Sequence, residues 1–598
     1  MKAGLKYIFF LTLIVLSSPD SSSLQPIIGS ITPNSTTISE YGKFEIDVNL
    51  IIAHYSNPFD PADMDMRAKF ISPDNRVKWV WGFYDGTDWR VRFSPDMVGE
   101  WKYYVKVDDG TGVDSSSVKT FTAIESRYHG PLRVSSRDPH YLVYDDGTPF
   151  YGLGQCRPWF IFNVPDIFQK MEDHGMNFLV YWLPDWDNML VTDKTGYDRY
   201  DMYRAENIDR VVEESENHNI YIMFTIWNHD ELRGEGHPWG IRPYYDMYNP
   251  FRFLVSPADL FFTDSTAWVY QTYLYRYIIA RWGYSRAIGM WQTITEIDGT
   301  NAFDNTDYWH TKINNYFKEN DPFGHPTTAS KSGDKFWHEG FLVMDITQMH
   351  SYSMVNNPVN NANLLAYYNS QLWKYYDKPN VIGEFGTNVK RFELDHLHYA
   401  IWVSLVTGAA ITPLDWNDGG DWGDFTDDMY DQMKSLSDFI QGIAFDTLGL
   451  DLSKISVPDG FRAWAINGSD FGIFWIQDKT PGDTVSAVQV DISNLTQGKW
   501  EVMWYNTWDG TYIDTVEVST SQSVLTLITP QFSKDIAGKF FFRTESSIKG
   551  KADKLNPDNF YLKGNFPNPF NLKTSFELSI PEKAQLRIYI YNLLGQKI

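Results

Sequence analysis

The chain of 598 residues contains one cysteine, Cys156, so no internal disulfide can form and stability must come from packed cores. No sequence pattern of a thiol protease surrounds that cysteine, which reads as a small buried residue. Apart from Tyr7 to Leu16, no stretch approaches the roughly twenty apolar residues that a membrane helix needs. Positive charge is scarce as well: 51 Lys and Arg against 76 Asp and Glu leave a net charge of -25. That balance argues against nucleic acid and anionic membranes as partners, because both need cations to neutralise phosphates. No glycine-rich phosphate loop follows any strand-like run, and no His-x-His pattern stands on the first one. The acidic loop Asp415 to Asp424 does not follow a calcium loop, since Thr426 stands at its twelfth position instead of Glu. It reads as a sugar-binding loop or a solvated one, and neither a metal nor another cofactor is expected.

Aromatic residues are abundant instead, 23 Trp and 37 Tyr among them. Flat rings suit the apolar faces of sugars, and they also fill the cores of β-domains, so composition leaves both readings open. The chain is too long for one core and implies several domains. Residues 1–23, with a basic start, an apolar middle and a small polar end, have the layout of a secretory signal peptide. Period-two alternation over 24–123, as in Trp89, Val91 and Phe93 or Trp101, Tyr103 and Val105, predicts a β-sandwich. Over 124–449 short apolar runs alternate with helical ones. Strands are predicted at Phe150 to Gly154, Asn177 to Trp182, Ile220 to Trp227, Ala287 to Ile294, His325 to Ala329, Val343 to His350, Pro379 to Gly383 and Ala409 to Leu414. Helices are predicted between most of them, including Ala267 to Arg281 and Leu394 to Val406. This pattern predicts a (β/α)8 TIM barrel. Alternation returns over 450–545 and predicts a second β-sandwich, followed by a linker and tail at 546–598. The expected fold is multidomain, a central barrel flanked by two sandwiches.

Two glutamates carry the chemistry. Glu296 in Gln292-Thr293-Ile294-Thr295-Glu296 and Glu384 in Val381-Ile382-Gly383-Glu384-Phe385-Gly386 each stand at the expected end of an apolar run. Paired carboxylates at a barrel mouth can protonate a glycosidic oxygen and attack or shield the anomeric carbon. On the fourth and seventh strands they resemble glycoside hydrolase clan A. The resemblance implies Glu296 as acid/base, with a raised pKa, and Glu384 as nucleophile. Other positions match that clan strand by strand: His350-Ser351-Tyr352 on the sixth strand, with Tyr352 bonding the nucleophile, Trp416 as the floor of the cleavage subsite, and Arg157 and His229 completing the substrate site. Arg157 reads equally well as a structural pin for a carboxylate, and His229 as a loop histidine. Thr295 departs from the pattern, occupying the place where the clan has an asparagine that bonds the sugar 2-hydroxyl; that contact is weakened or supplied by another residue.

The segment from Trp81 to Trp101 resembles the immunoglobulin-like domain of unknown function that precedes the barrel in many bacterial glycoside hydrolases. Pro567-Asn568-Pro569-Phe570-Asn571 and Tyr591-Asn592-Leu593-Leu594-Gly595-Gln596 resemble the C-terminal sorting domain of the Bacteroidetes type nine secretion system, which implies that secretion machinery as a partner. The chain stops at Ile598, before the last strands of such domains, so a truncated sorting domain is expected. Together these readings imply a secreted, retaining glycoside hydrolase acting on a poly- or oligosaccharide. The alternatives are a non-catalytic carbohydrate-binding surface protein built on such a barrel, and a polysaccharide lyase, which would need a basic cleft.

Overall fold

Alternation at period two over the first hundred residues produces nine mostly antiparallel strands, ordered Ile27–Pro33, Phe44–Ile52, Trp89–Phe93, Val77–Tyr84, Asp65–Ile71, Gly99–Asp108, Lys119–Ile124 and Thr37–Ser39, with Val113–Ser115 on Gly99–Asp108. This computed structural model describes residues 25–159, 161–163, 166–183, 189–240, 242–418, 423–520 and 523–543, with the backbone of 561–562 and 578–579. The expected signal peptide, and the expected linker and sorting domain apart from those four residues, lie outside them. Inward positions of the strands meet as stacked rings, Phe70 on Phe93 at 3.9 Å and Phe44 on Phe121 at 4.0 Å.

Seven parallel strands follow: β1 (Gly154–Cys156), β2 (Phe178–Trp182), β3 (Tyr221–Thr225), β4 (Ile288–Gln292), β5 (Thr327–Thr328), β6 (Thr347–Ser351) and β7 (Asn380–Phe385). β1 to β5 pair in order, as do β6 and β7. Asp345 N and Ile346 N donate to Thr327 O at 3.0 and 3.1 Å, joining the approach to β6 to β5. Residues 409–416 form no regular strand, yet Ile411 bridges Gly152, Trp416 bridges Cys156 and Asp415 bridges Phe385. The segment therefore contacts both β1 and β7. Every residue of β2, β3, β4, β6 and β7 is buried, as a parallel sheet covered on both faces requires. The longer covering helices are α1 (Ile167–Asp173), α2 (Met202–Asn217), α3 (Ser265–Trp282), α4 (Thr306–Asn320), α5 (Pro358–Tyr375), α6 (Glu393–Leu405) and α7 (Asp427–Ile440).

Several boundaries differ from the sequence reading. The run at Phe150 to Gly154 splits: Pro149–Phe150 pairs antiparallel with Leu142–Tyr144, and the first parallel strand begins at Gly154. β7 extends to Phe385, which places Glu384 inside a strand rather than beyond it. β4 stops at Gln292, four residues before Glu296, where the backbone leaves extended geometry. Residues His338–Val343 form a short helix, and β6 begins only at Thr347. Buried apolar runs are hydrophobic in either secondary structure, so periodicity does not locate their ends.

The C-terminal domain has a six-stranded sheet and a three-stranded one, Ile455–Ser456, Gln489–Ser493 and Val524–Ile528. An ion-pair cluster on one side and a buried hydrogen-bond cluster on the other tie the flanking sheets to the centre. Asp209 on α2 accepts from Arg92 Nη1 of the N-terminal domain at 2.8 Å and from Arg281 Nη2 of α3 at 2.6 Å. At the other side Asp535 accepts from His398 Nε2 of α6 at 3.0 Å, Trp475 Nε1 at 2.9 Å and Trp508 Nε1 at 2.6 Å.

Candidate active site

Glu384 is held by its strand, and Glu296 by a strained loop. Glu296 has φ 53° and ψ 54°, the left-handed region that costs a non-glycine residue roughly 1–2 kcal/mol. Ser330, just past β5, secures that conformation: its Oγ accepts from Glu296 N at 3.0 Å, and its carbonyl accepts from Ile297 N at 3.0 Å.

The two carboxylates converge on His350 of β6. Its Nδ1 lies 2.9 Å from Glu296 Oε1 and 3.3 Å from Glu384 Oε2. Thr295 Oγ1 donates to Glu384 Oε1 at 3.0 Å, and Tyr352 OH donates to Glu384 Oε2 at 3.2 Å. One oxygen of each glutamate and the His350 nitrogen all lie within 4.8 Å of one another. The same three atoms could ligate a divalent cation, as nitrogen and oxygen donors of a zinc-type site do.

A chain of amides orients the imidazole. Thr225 Oγ1 donates to Gln292 Oε1, Gln292 Nε2 donates to Gln348 Oε1 at 2.9 Å, and Gln348 Nε2 donates to Thr328 Oγ1 at 3.1 Å. Gln348 Oε1 can then only accept from His350 Nε2, 3.1 Å away, so Nε2 carries a proton in either charge state. Protonation of His350 is decided at Nδ1, the atom that faces both glutamates. Gly383 makes room for this chain, because a Cβ there would stand 2.0 Å from Gln348 Oε1.

Electrostatics divide the pair in the direction opposite to the sequence expectation. Burial pushes the Glu384 carboxyl up to about 7, and the Glu296 charge adds to it against the His350 charge and the two hydroxyl donors. Burial also disfavours ionised Glu296, but the His350 hydrogen bond and the charge of His350 outweigh it and hold this carboxyl below its ordinary value. His350 is raised: burial opposes its charge, and Glu384 and Glu296 overcome that. In the free site Glu296, not Glu384, is therefore the better-stabilised anion. The expectation of a raised Glu296 omitted the cation between the two groups.

The remaining predicted residues surround this centre. Trp416 packs against Trp182 and Trp159, with ring centroids at 5.2 and 5.5 Å. His229 Nδ1 is 3.7 Å from Glu296 Oε2, and burial pushes its pKa down to about 4, which leaves it neutral. Arg157 is buried, donates to Asn417 O at 3.2 Å and pairs with Asp424, so it ties β1 to the acidic loop. Asp421 and Trp422 of that loop lie outside the described residues. Cys156 is buried and its thiol is pushed up by burial, as suits an inert residue. Sequence reading missed Gln292, Gln348 and Ser330, whose types carry no catalytic signal. It also missed Trp159 and Trp182, which follow or end a predicted strand; Trp239, in the long segment after β3, packs on His229 at 5.4 Å.

The family model described as a domain of unknown function (DUF5060) matches residues 37–108. No curated protein matches the chain. Among solved structures, a protein provisionally described as a glycoside hydrolase from Bacteroides vulgatus ATCC 8482 is similar at TM-score 0.60 and 16% identity, covering 85% of this chain and 100% of its own. A glycoside hydrolase family 5 protein from the same organism is similar at TM-score 0.51 and 18% identity, covering 69% of this chain and 94% of its own. At such identities the likeness is one of fold: the chain folds as these two proteins do.

Proposed function

We propose that this chain is a secreted glycoside hydrolase that cleaves O-glycosidic bonds of a poly- or oligosaccharide with retention, using a (β/α)8 barrel. The observation that carries this reading is the approach of one oxygen of Glu296 and one of Glu384 to within 4.8 Å around His350. Retaining enzymes hold their carboxyl groups about 5 Å apart, whereas inverting ones leave roughly 6.5 to 9.5 Å for a water. Ionised Glu384 attacks the anomeric carbon while Glu296 gives its proton to the departing glycosidic oxygen. A glycosyl ester forms on Glu384, and the leaving group departs as an alcohol. Glu296 then takes a proton from water, whose oxygen attacks the same carbon and releases Glu384. The His350 Nδ1 proton, 2.9 Å from Glu296 Oε1, is the source from which Glu296 is charged for the first step. Hydrogen bonds from residues 409–416 to both β1 and β7 support the closed barrel, and alternation in the outer domains supports two sandwiches.

Glu384→Gln is expected to abolish turnover of a glycan panel and to retain ligand binding; unchanged turnover would sink the assignment. Glu296→Ala should regain activity on aryl glycosides with added azide and yield a glycosyl azide of retained configuration. Export would be tested by expression in a type nine secretor, where the medium should contain a chain lacking residues 1–23. A second reading, a non-catalytic glycan-binding protein, is favoured by Thr295, whose hydroxyl is already bonded to Glu384. Saturable binding across the panel without product release would select it.

A further inference from the structure

The outer face of the N-terminal domain carries a pattern that its core does not need. Register sets Lys69 between Trp79 and Tyr104 on the adjacent strands Val77–Tyr84, Asp65–Ile71 and Gly99–Asp108. Trp79 is 42% exposed in the middle of its strand. Its ring stands perpendicular to that of Tyr104, with centroids 5.9 Å apart, and Lys69 Nζ lies 5.8 Å from the indole. Lys102 and Lys106 flank Tyr104 two residues to either side and so share its face. Arg67, beside Lys106, is paired with Asp65; among the described residues Lys69, Lys102 and Lys106 enter no ion pair. The carboxylates of this face stand at its ends, Glu100 at one and the register partners Asp65 and Asp108 at the other.

On a chain of net charge -25, a face whose middle rows carry only cations is complementary to an anion. An exposed indole meeting a phenol at a right angle makes a corner for the apolar side of a sugar ring. We propose that this face binds an acidic polysaccharide, with its carboxylate or sulfate groups on Lys69, Lys102 and Lys106 and one ring in the Trp79–Tyr104 corner. The choice of a saccharide over another anion rests on the hydrolase reading, but binding here requires no turnover. It would hold the molecule on its substrate while the glutamate pair works.

Affinity electrophoresis of the full chain through gels holding polygalacturonate or chondroitin sulfate, with dextran as the neutral control, tests the proposal. Retardation is expected in at least one acidic gel and none in dextran, and it should weaken as salt rises. Trp79→Ala, and separately Lys69→Glu with Lys102→Glu, should weaken it on the order of tenfold with unchanged melting temperature. Glu384→Gln should be retarded as the parent is. Absence of retardation in both acidic gels, retardation that both variants leave intact, or capture by phosphatidylserine vesicles in place of either polysaccharide would overturn it. Retardation as expected in a chain that turns over no glycan would leave this surface standing and remove the hydrolase reading.

Discussion

His350 sets the charge of the site because one nitrogen serves two carboxylates. With Glu384 raised to about 7 and required as an anion for attack, kcat/KM should rise with pH through a limb near 7. It should fall again as the proton shared by His350 and Glu296 is lost, a value that belongs to the coupled group rather than to either residue. Thr295 and Tyr352 both donate to the Glu384 anion and so lower its pKa. Thr295→Val and Tyr352→Phe should therefore move the ascending limb to higher pH, and a displacement of one pH unit lowers kcat/KM about tenfold on that limb. A pH-rate profile of each variant on an aryl glycoside checks this; a limb that stays in place would show that neither hydroxyl acts on Glu384. The glutamates, His350, Tyr352 and Trp416 were legible in the sequence as types at strand ends. The direction of proton sharing was not, because it depends on a cation lodged between groups 54 and 34 residues away from it in the chain.

At the scale of elements, β7 and β6 must pack with no side chain between Gln348 and the backbone of Gly383. Gly383→Ala would put a Cβ 2.0 Å from Gln348 Oε1 and force that amide away from His350. Overpacking of this kind costs typically 1–3 kcal/mol, and the loss of catalysis should exceed what the fall in melting temperature explains. Thermal unfolding alongside kcat measured well below the melting temperature separates the two effects; a variant with parental kcat would remove Gln348 from the account. The glycine was legible only as part of a motif, since its reason is a side chain on the neighbouring strand. β-branched runs marked most strands, whereas the start of β1, the short helix before β6 and the left-handed turn at Glu296 depended on partners elsewhere. The backbone at Glu296 is held by Ser330, and no local propensity favours that conformation.

At the scale of the whole molecule, the N-terminal sheet is joined to the central helices through Asp209 and two arginines. Burial alone would raise the Asp209 carboxyl; the Arg92 charge and the bonds from Arg281 outweigh it and hold it at about 2. Its folded pKa lies below the unfolded value of roughly 3.9, so its stabilisation of about 2–3 kcal/mol is present above that pH and is lost as pH falls toward 2. Asp209→Asn leaves Arg281 without its counter-charge and Arg92 with Glu45 alone, and should cost about 3 kcal/mol at pH 7. Urea unfolding at pH 7 and pH 3 tests this, and the difference from the parent should shrink at the lower pH. The sequence by itself determined the succession of β, α/β and β regions, because hydrophobic period is a local property of the chain. It also determined which carboxylates stand near strand ends, because those runs end where polar residues begin. Only the tertiary structure decided that Glu296, Glu384 and His350 meet, that amides orient the histidine, and that Lys69 lies between two rings. Those contacts join strands far apart in sequence, and long-range register and burial, not local pattern, set their distances and charges.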